Sequence, residues 1–354
     1  MPTIHILSQY IWPDGGPDGI LAEQLATRVQ EQGYDVRLVG GNASYRPSGR
    51  EKPPVPILHL DHYRGCRGSL AETFVQYWAV RGAFRNYIGR SVNEGDVVVV
   101  TTAPPTTVSL AMSIKQRGAR AIYWLQDYYP ELARAIYEYP KSLRSALCAY
   151  WDKNLRQWDR VIKSAGNLGR SLPNSLVIRN WPTLQFEQLI EPEPRTALYS
   201  GNLSYGHDIG LLVAACEKLR DEGYRISIRA DGRGVCHLPA WLKARPLHSN
   251  PEELKKDLIH HEVHLVAAHP RITRAMFPSR IWNSIAAGRR LLCTGFIREM
   301  ATELEAAKRA PFERHLEEWT TLLVDLANSP QGATSGGFDD LTSATRELQP
   351  TAIA

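Results

Sequence analysis

Residues 277–288 read FPSRIWNSIAAG, and LLCTG follows at 291–295. The order is turn, helix, glycine stop, buried strand. Pro278 has no N–H to lose at a helix start, and the Ser279 hydroxyl suits capping of free amides. Ile281, Ile285 and Ala286 recur at helical spacing. Ala286, Ala287 and Gly288 are small enough to lie close on a sheet, and Gly288 suits a left-handed helix end. Arg280 adds a full charge to the free amides and partial positive charge of a helix start. Together they predict a phosphate site. The plain alternative is a crossover helix with a solvated arginine.

Upstream, the same alternation recurs. HILSQY is a strand, Pro13–Gly19 a turn, 20–32 a helix ended by Gly33, and YDVRLVG the next strand. ILHLDHY is a strand, 69–90 a helix, and DVVVVTT a β-branched run of the kind covered on both faces. Residues 106–117 read as helix, AIYWLQD as strand, 140–156 as a long helix, and RVIKSAG and SLVIRNW as short strands. A Pro-rich, acidic linker from Trp181 to Pro194 precedes a restart of the theme. TALYSGN is a strand, 208–222 a helix stopped by Gly223, and YRISIRADG a strand; a helix near 251–260 and the strand VHLVAA lead into the opening segment. Two strand–helix sheets in series predict α/β architecture, with ligands at the carboxyl ends of the strands on either side of a cleft. The boundaries expected are 1–180, 181–310 and a loosely ordered tail at 329–354. The amphipathic stripe of 311–328 belongs with the first domain.

Composition narrows the function classes. The 354 residues suit two domains. No apolar run approaches the roughly 20 residues that span a bilayer, and MPTIHILSQY lacks a signal-peptide pattern. Five scattered cysteines (66, 148, 216, 236, 293) without a CxxC pair predict a reducing cytoplasm and no structural zinc. Residues 1–180 hold 22 Lys+Arg against 15 Asp+Glu, net +7, and the remainder is −2. The first half therefore suits an anionic partner, be it a phosphorylated carrier, a membrane surface or nucleic acid, or else is simply a solvated basic face. AVRGAFRNYIGR (79–90) mixes arginines with aromatics, as a helix at a lipid headgroup layer would. The alternative turns its aromatics to the core.

The turns between strands and helices carry the candidate chemistry. DGGPDG (14–19) is glycine-rich but neither GxGxxG nor GxxxxGK[ST]. SGNLSYGHD (200–208) offers a hydroxyl, an amide and His207, which would hold phosphate if protonated and otherwise caps a turn or faces water. ADGRG (230–234) is a turn or brings Asp231 to the cleft. QDYYPE (126–131) ends a strand with a carboxylate, Asp127, and Tyr128, Tyr129 and Pro130 as an aromatic shelf for a sugar ring. No HExxH or GxSxG is present.

Taken in order, SQYIWPDGGP, QDYYPE, VIRNWP, LYSGNLSYGHDI and FPSRIWNSIAAGRRLL make the chain resemble the GT-B glycosyltransferases of retaining family 4, nearest their bacterial surface-polysaccharide branch. The resemblance spans most of residues 1–300. It implies two Rossmann-like domains facing a cleft, the nucleotide-sugar donor mainly on the second, the acceptor mainly on the first, and a C-terminal helix crossing back. Carried over by position, Gly15 and Gly16 match the loop facing donor phosphate and acceptor. Ser200, Gly201 and Asn202 match the first donor loop, Asp231 and Gly232 the turn after the next strand, and Pro278, Ser279, Arg280 and Asn283 the donor-binding helix start.

The chain departs from that pattern in two places. Asn202 and Gly206-His207 stand where many relatives carry Arg and Lys, and Ala275 and Asn283 stand where they carry two glutamates. Arg274, Arg280 and His207 are the candidates for the missing positive charge. The expected activity is metal-independent sugar transfer to a hydroxyl, with Arg280 and His207 at the diphosphate and Asp127 orienting the acceptor. No cofactor is implied beyond the nucleotide-sugar substrate. The expected partners are that donor, a carbohydrate or lipid-linked acceptor and a membrane surface met by the basic first domain, but not nucleic acid, which places the chain in the cytoplasm at the inner membrane face. A catalytically silent nucleotide- or partner-binding member of the same fold is the alternative. A nucleotide-sugar epimerase would need a base pair that the sequence does not identify.

Overall fold

The computed structural model describes residues 1–41, 49–64, 70–136, 141–169, 171–204, 206–248, 250–272, 274–309 and 311–329. The tail expected beyond Ser329, Cys66 and Tyr205 of the second-half turn lie outside them.

Apolar, β-branched runs form the strands of a seven-stranded parallel sheet: β1 (Ile4–Ser8), β2 (Val36–Gly41), β3 (Ile57–Leu60), β4 (Val97–Thr101), β5 (Arg120–Leu125), β6 (Arg160–Lys163) and β7 (Ser175–Val177). Their order is β3-β2-β1-β4-β5-β6-β7. Every residue of β1 and β4 is buried, as strands covered on both faces require. The helices of this lobe are α1 (Pro17–Glu31), α2 (Leu70–Ser91), α3 (Ala111–Lys115), α4 (Tyr129–Ile136) and α5 (Lys141–Leu155). The expected helix over 106–117 divides into a 3-10 turn at Pro105–Leu110 followed by α3. Tyr129 and Pro130, read from sequence as part of an aromatic shelf, open α4.

The second sheet comprises β8 (Glu193–Asn202), β9 (Arg225–Asp231), β10 (Ala244–Arg245), β11 (His261–Ala267) and β12 (Arg290–Thr294), ordered β10-β9-β8-β11-β12 and again parallel. Around it lie α6 (Ile209–Asp221), α7 (Pro251–His260) and α8 (Arg280–Ala286). α9 (Arg298–Arg309) and α10 (Phe312–Asn328) complete the chain. Both sheets step outward from their first strand in one direction and then the other. The reversal leaves a crevice at the carboxyl ends of β1 and β4 in one lobe and of β8 and β11 in the other.

α10 returns to the first sheet. Its Trp319 is fully buried, 4.7 Å from the Trp124 ring, in a core shared with Leu21 and Leu25 of α1. On the opposite face α2, α3 and α5 pack through Val80, Phe84, Ile114 and Trp151. That core continues into the second lobe through Val266, Ile272, Trp282 and Met300. The lobes also meet through the main chain. Asp127 and Met276 form an antiparallel bridge, and the Tyr128 amide donates to the Ala275 carbonyl at 2.6 Å. Arg179 and Glu303 join them by a double hydrogen bond of 2.6 and 3.2 Å.

Candidate functional site

Between the lobes lies a cleft of about 1560 Å³. The loop after β1, the start of α1, the linker after Trp181, the loop after β8 and the start of α8 line it. Gly15, Gly16, Ser200, Gly201, Asn202, His207, Pro278, Ser279, Arg280 and Asn283 are brought together on its wall. Asp127, Asp231, Gly232 and Arg274 are not among the lining residues.

Arg280 is the centre of the second-lobe wall. Its guanidinium lies over the Tyr199 ring at 4.6 Å and reaches His207 Nε2 at 3.0 Å. Nη1 is buried and has no hydrogen-bond partner. Gly201, with φ of 154°, leaves room for it: a Cβ there would stand 2.7 Å from the guanidinium carbon. The backbone angle favours glycine at 201, and a Cβ there would displace the Arg280 guanidinium.

The structure alters the reading of His207. Burial, reinforced by the Arg280 charge, pushes its pKa down to about 3. Histidine 207 is therefore neutral at pH 7 and supplies no cation. Its Nε2 lies 3.0 Å from the Arg280 guanidinium, and its Nδ1 lies 3.1 Å from the Ser204 amide and 3.3 Å from the Ser204 carbonyl oxygen. The helix cap next door is Asp208, whose carboxylate accepts from the Leu211 amide at 3.0 Å.

Three other expectations are corrected. Ser279 adopts helical angles (φ −61°, ψ −25°) and caps nothing with its hydroxyl, because the turn begins earlier, with the Ile281 amide donating to the Pro278 carbonyl. Arg274 is exposed outside the cleft with its guanidinium 3.7 Å from Glu299, so it adds no charge to the site. Asn283 faces the linker: its Oδ1 accepts from the amides of Thr183 and Leu184 at 2.9 and 3.1 Å, and its Nδ2 donates to Thr183 Oγ1 at 3.0 Å. It fixes where the chain enters the second lobe, with its polar atoms already engaged.

Asp231 and Gly232 form a tight turn against the loop after β8. The Gly232 amide donates to the Asp231 carboxylate at 2.7 Å, and Gly232 has φ of 98°. A Cβ there would collide with Asn202 Oδ1 and come within 2.6 Å of the Leu203 carbonyl oxygen, so the glycine lets the two loops nest. The anticipated sugar shelf is not one. Tyr128 is buried against Trp151, its hydroxyl donating to Asp152 at 2.8 Å.

Asp127, its backbone bridged to Met276, lies close enough to Asp18 of α1 for the two carboxyl groups to interact. Burial and the nearby Asp18 carboxylate raise its pKa to about 8; burial and Asp14 raise that of Asp18 to about 6. With its amide nitrogen turned inward, Gln126 donates to Asp18 at 3.1 Å. Asp127 therefore holds its proton at neutral pH, whereas Asp18 takes one up only below about pH 6.

The sequence reading missed several cleft residues. Arg50 lines the first-lobe wall and binds Glu23 at 2.7 Å and the Asp14 carbonyl at 2.5 Å. Trp181 stacks on Trp124 at 5.7 Å and donates to Gln24 at 2.9 Å. His248, Asn250, Glu252 and Lys255 line the cleft from the second lobe. Arg50 had one available signal, a basic residue in the Pro/Gly-rich loop after a strand. No group of three or more His, Cys, Asp or Glu among the described residues has metal-holding geometry.

No family profile matches the sequence, and no curated protein matches it. Solved structures do match in fold. The N-terminal domain of Candida albicans trehalose-6-phosphate phosphatase is similar with a TM-score of 0.59 at 10% identity, over 97% of each chain. An α,α-trehalose 6-phosphate synthase from Burkholderia multivorans gives 0.57 at 12% over 99% of each. The catalytic domain of starch synthase IV from Arabidopsis thaliana, bound to ADP and acarbose, gives 0.56 at 10% over 98% of each. The shared fold is two Rossmann-like lobes facing a cleft, the GT-B arrangement.

Proposed function

We propose that the chain is a glycosyltransferase of the retaining family-4 type, moving a sugar from a nucleotide-sugar donor to a hydroxyl on a carbohydrate or lipid-linked acceptor in glycan or glycoconjugate synthesis. The observation that carries this reading is Arg280. It lies under the Gly201 loop on the cleft wall, with one buried guanidinium nitrogen unpartnered. When the sugar leaves, charge develops on the diphosphate, and a fixed cation beside it lowers that barrier. The Ser200–Asn202 loop and the Gly15–Gly16 loop both line the cleft, and a closed cleft of this kind would hold donor and acceptor together. We read the reaction as metal-independent; activity unchanged by a chelator would support this.

Calorimetry with UDP, GDP, ADP and TDP tests the reading. One of them should bind, and Arg280→Ala should weaken that binding at least tenfold while moving the melting temperature little. Failure of all four to bind removes the proposal, and unchanged affinity in the variant removes Arg280 from it.

The silent-member reading also has an observation in its favour. Of three candidate cations, His207 is neutral and Arg274 lies outside the cleft, leaving Arg280. Binding of a nucleoside diphosphate without hydrolysis or transfer of any nucleotide sugar would select it.

A further inference from the structure

The loop between β1 and α1 brings Gly15 and Gly16 to the cleft wall. Gly16, the residue before α1, has no side chain with which to cap the helix. Three contacts hold the loop in place. Asp14 Oδ1 accepts from the Gly16 amide at 2.7 Å, and Glu23 Oε1 accepts from the Trp12 amide at 2.6 Å. The third comes from a distant segment: Arg50, between β2 and β3, donates from Nη2 to the Asp14 carbonyl at 2.5 Å. The same guanidinium forks onto Glu23, Nη1 to Oε2 at 2.7 Å and Nη2 to Oε1 at 3.3 Å. The Trp12 indole nitrogen donates back to the Arg50 carbonyl at 3.2 Å. The ion pair is largely out of water, with side-chain exposures of 16% for Arg50 and 4% for Glu23.

Arg50 thus grips the loop at two points, Asp14 directly and Trp12 through Glu23. A trans peptide is planar, and its C=O and N–H point in opposite directions. Holding the Asp14 carbonyl toward Arg50 therefore aims the Gly15 N–H away from the guanidinium. Glycines leave such a peptide many orientations, so its direction has to come from a partner. We infer that Arg50 is a positioning residue of the cleft, acting through the Gly15–Gly16 loop and presenting the Gly15 amide as a donor to an oxygen of the bound ligand. Its guanidinium is engaged by Glu23 and Asp14, and the counter-charge to the ligand stays with Arg280. The inference rests on reading the cleft as a nucleotide-sugar site. A lysine at 50 would keep a charge beside Glu23, but an ammonium is a point charge and lacks the planar fork that spans two partners.

Calorimetry and hydrogen exchange on the full chain test it, with UDP, GDP, ADP and TDP as probes. Whichever diphosphate binds the parent should bind Arg50→Ala at least tenfold more weakly and Arg50→Lys at least fivefold more weakly. Methylguanidinium, which fits the vacated place, should restore the affinity of Arg50→Ala. Without nucleotide, the amides of residues 12–19 should exchange at least tenfold faster in both variants, while those of β4 and β5 keep the parent's rates. Arg280→Ala should weaken nucleotide binding and leave exchange at 12–19 unchanged. Removing Arg50 strands the Glu23 carboxylate in a buried place; if Arg50→Ala fails to fold, Arg50→Lys carries both measurements. Parent-like exchange at 12–19 overturns the inference. So does faster exchange with parent-like affinity, which would make Arg50 a structural staple alone, and so does full affinity in Arg50→Lys, which would make its role one of charge. If none of the four probes binds the parent, the reading of the cleft fails and this inference falls with it; if one binds parent and variants alike, only this inference fails.

Discussion

Gly201 and Asp127 show how single positions tune the two sides of the cleft. A side chain at 201 meets the Arg280 guanidinium at 2.7 Å on a backbone with φ of 154°. Gly201→Ala should cost at least about 2 kcal/mol in urea unfolding and should push Arg280 off the wall. A variant as stable as the parent would show that the loop adapts freely. Asp127 acts on stability through pH. Its folded pKa of about 8 stands above its ordinary 3.8, so its stabilising share is complete below pH 3.8 and lost as pH rises through 8. His207 and His264 work oppositely. Burial, the largest cause for each, lowers them to about 3 and 4, so their share is present above pH 6.5 and lost as pH falls toward those values. Melting temperature followed from pH 4 to 9.5 should therefore fall at both ends, and Asp127→Asn should flatten the alkaline limb alone. Parallel curves for the variant and parent would refute this assignment.

Elements were legible in sequence where the signal is local. Gly33, Gly223 and Gly288 end helices, and all three have positive φ. The run VVVV at 97–100 became a fully buried strand. α9 went unread although Met300, Leu304 and Ala307 repeat on one face and are buried, a pattern that 3.6-residue periodicity can find. What depends on distant partners could not be read. Asn283 serves a linker 100 residues away, and His207 is neutral partly because of Arg280, 73 residues away. Phe84 and Tyr87 turned to the core while Trp78 stayed out, so the basic helix of 79–90 is core on one side and surface on the other. α10 offers the prediction at this scale. Trp319 fills the space beside Trp124 and Trp181, and Trp319→Ala should cost roughly 3–5 kcal/mol in chemical unfolding. A loss below about 1 kcal/mol would mean that the helix adds little to the first lobe.

Taken whole, the molecule has two sheets, each with a buried cluster of its own, and a third cluster that the two share. Tyr128, Trp151, Val266, Ile272 and Met300 belong to one buried cluster that passes from lobe to lobe, and the Arg179–Glu303 pair spans the same boundary at 2.6 Å. Calorimetric unfolding should accordingly show a single transition, and two well-separated peaks would contradict a common core. Saturation with a bound nucleoside diphosphate at 100 times its Kd should raise that transition by the equivalent of about 2.7 kcal/mol.

The chain crosses between lobes after Trp181 and again before α10, and the Tyr128–Ala275 amide contact joins them a third time. A joint attached at three places permits swing but not separation. Opening must widen the cleft at its mouth while its back stays shut, as a book opens on its spine. Ligands should then enter and leave by one side only, and a crosslink across that mouth, not one along the spine, should trap whatever is inside.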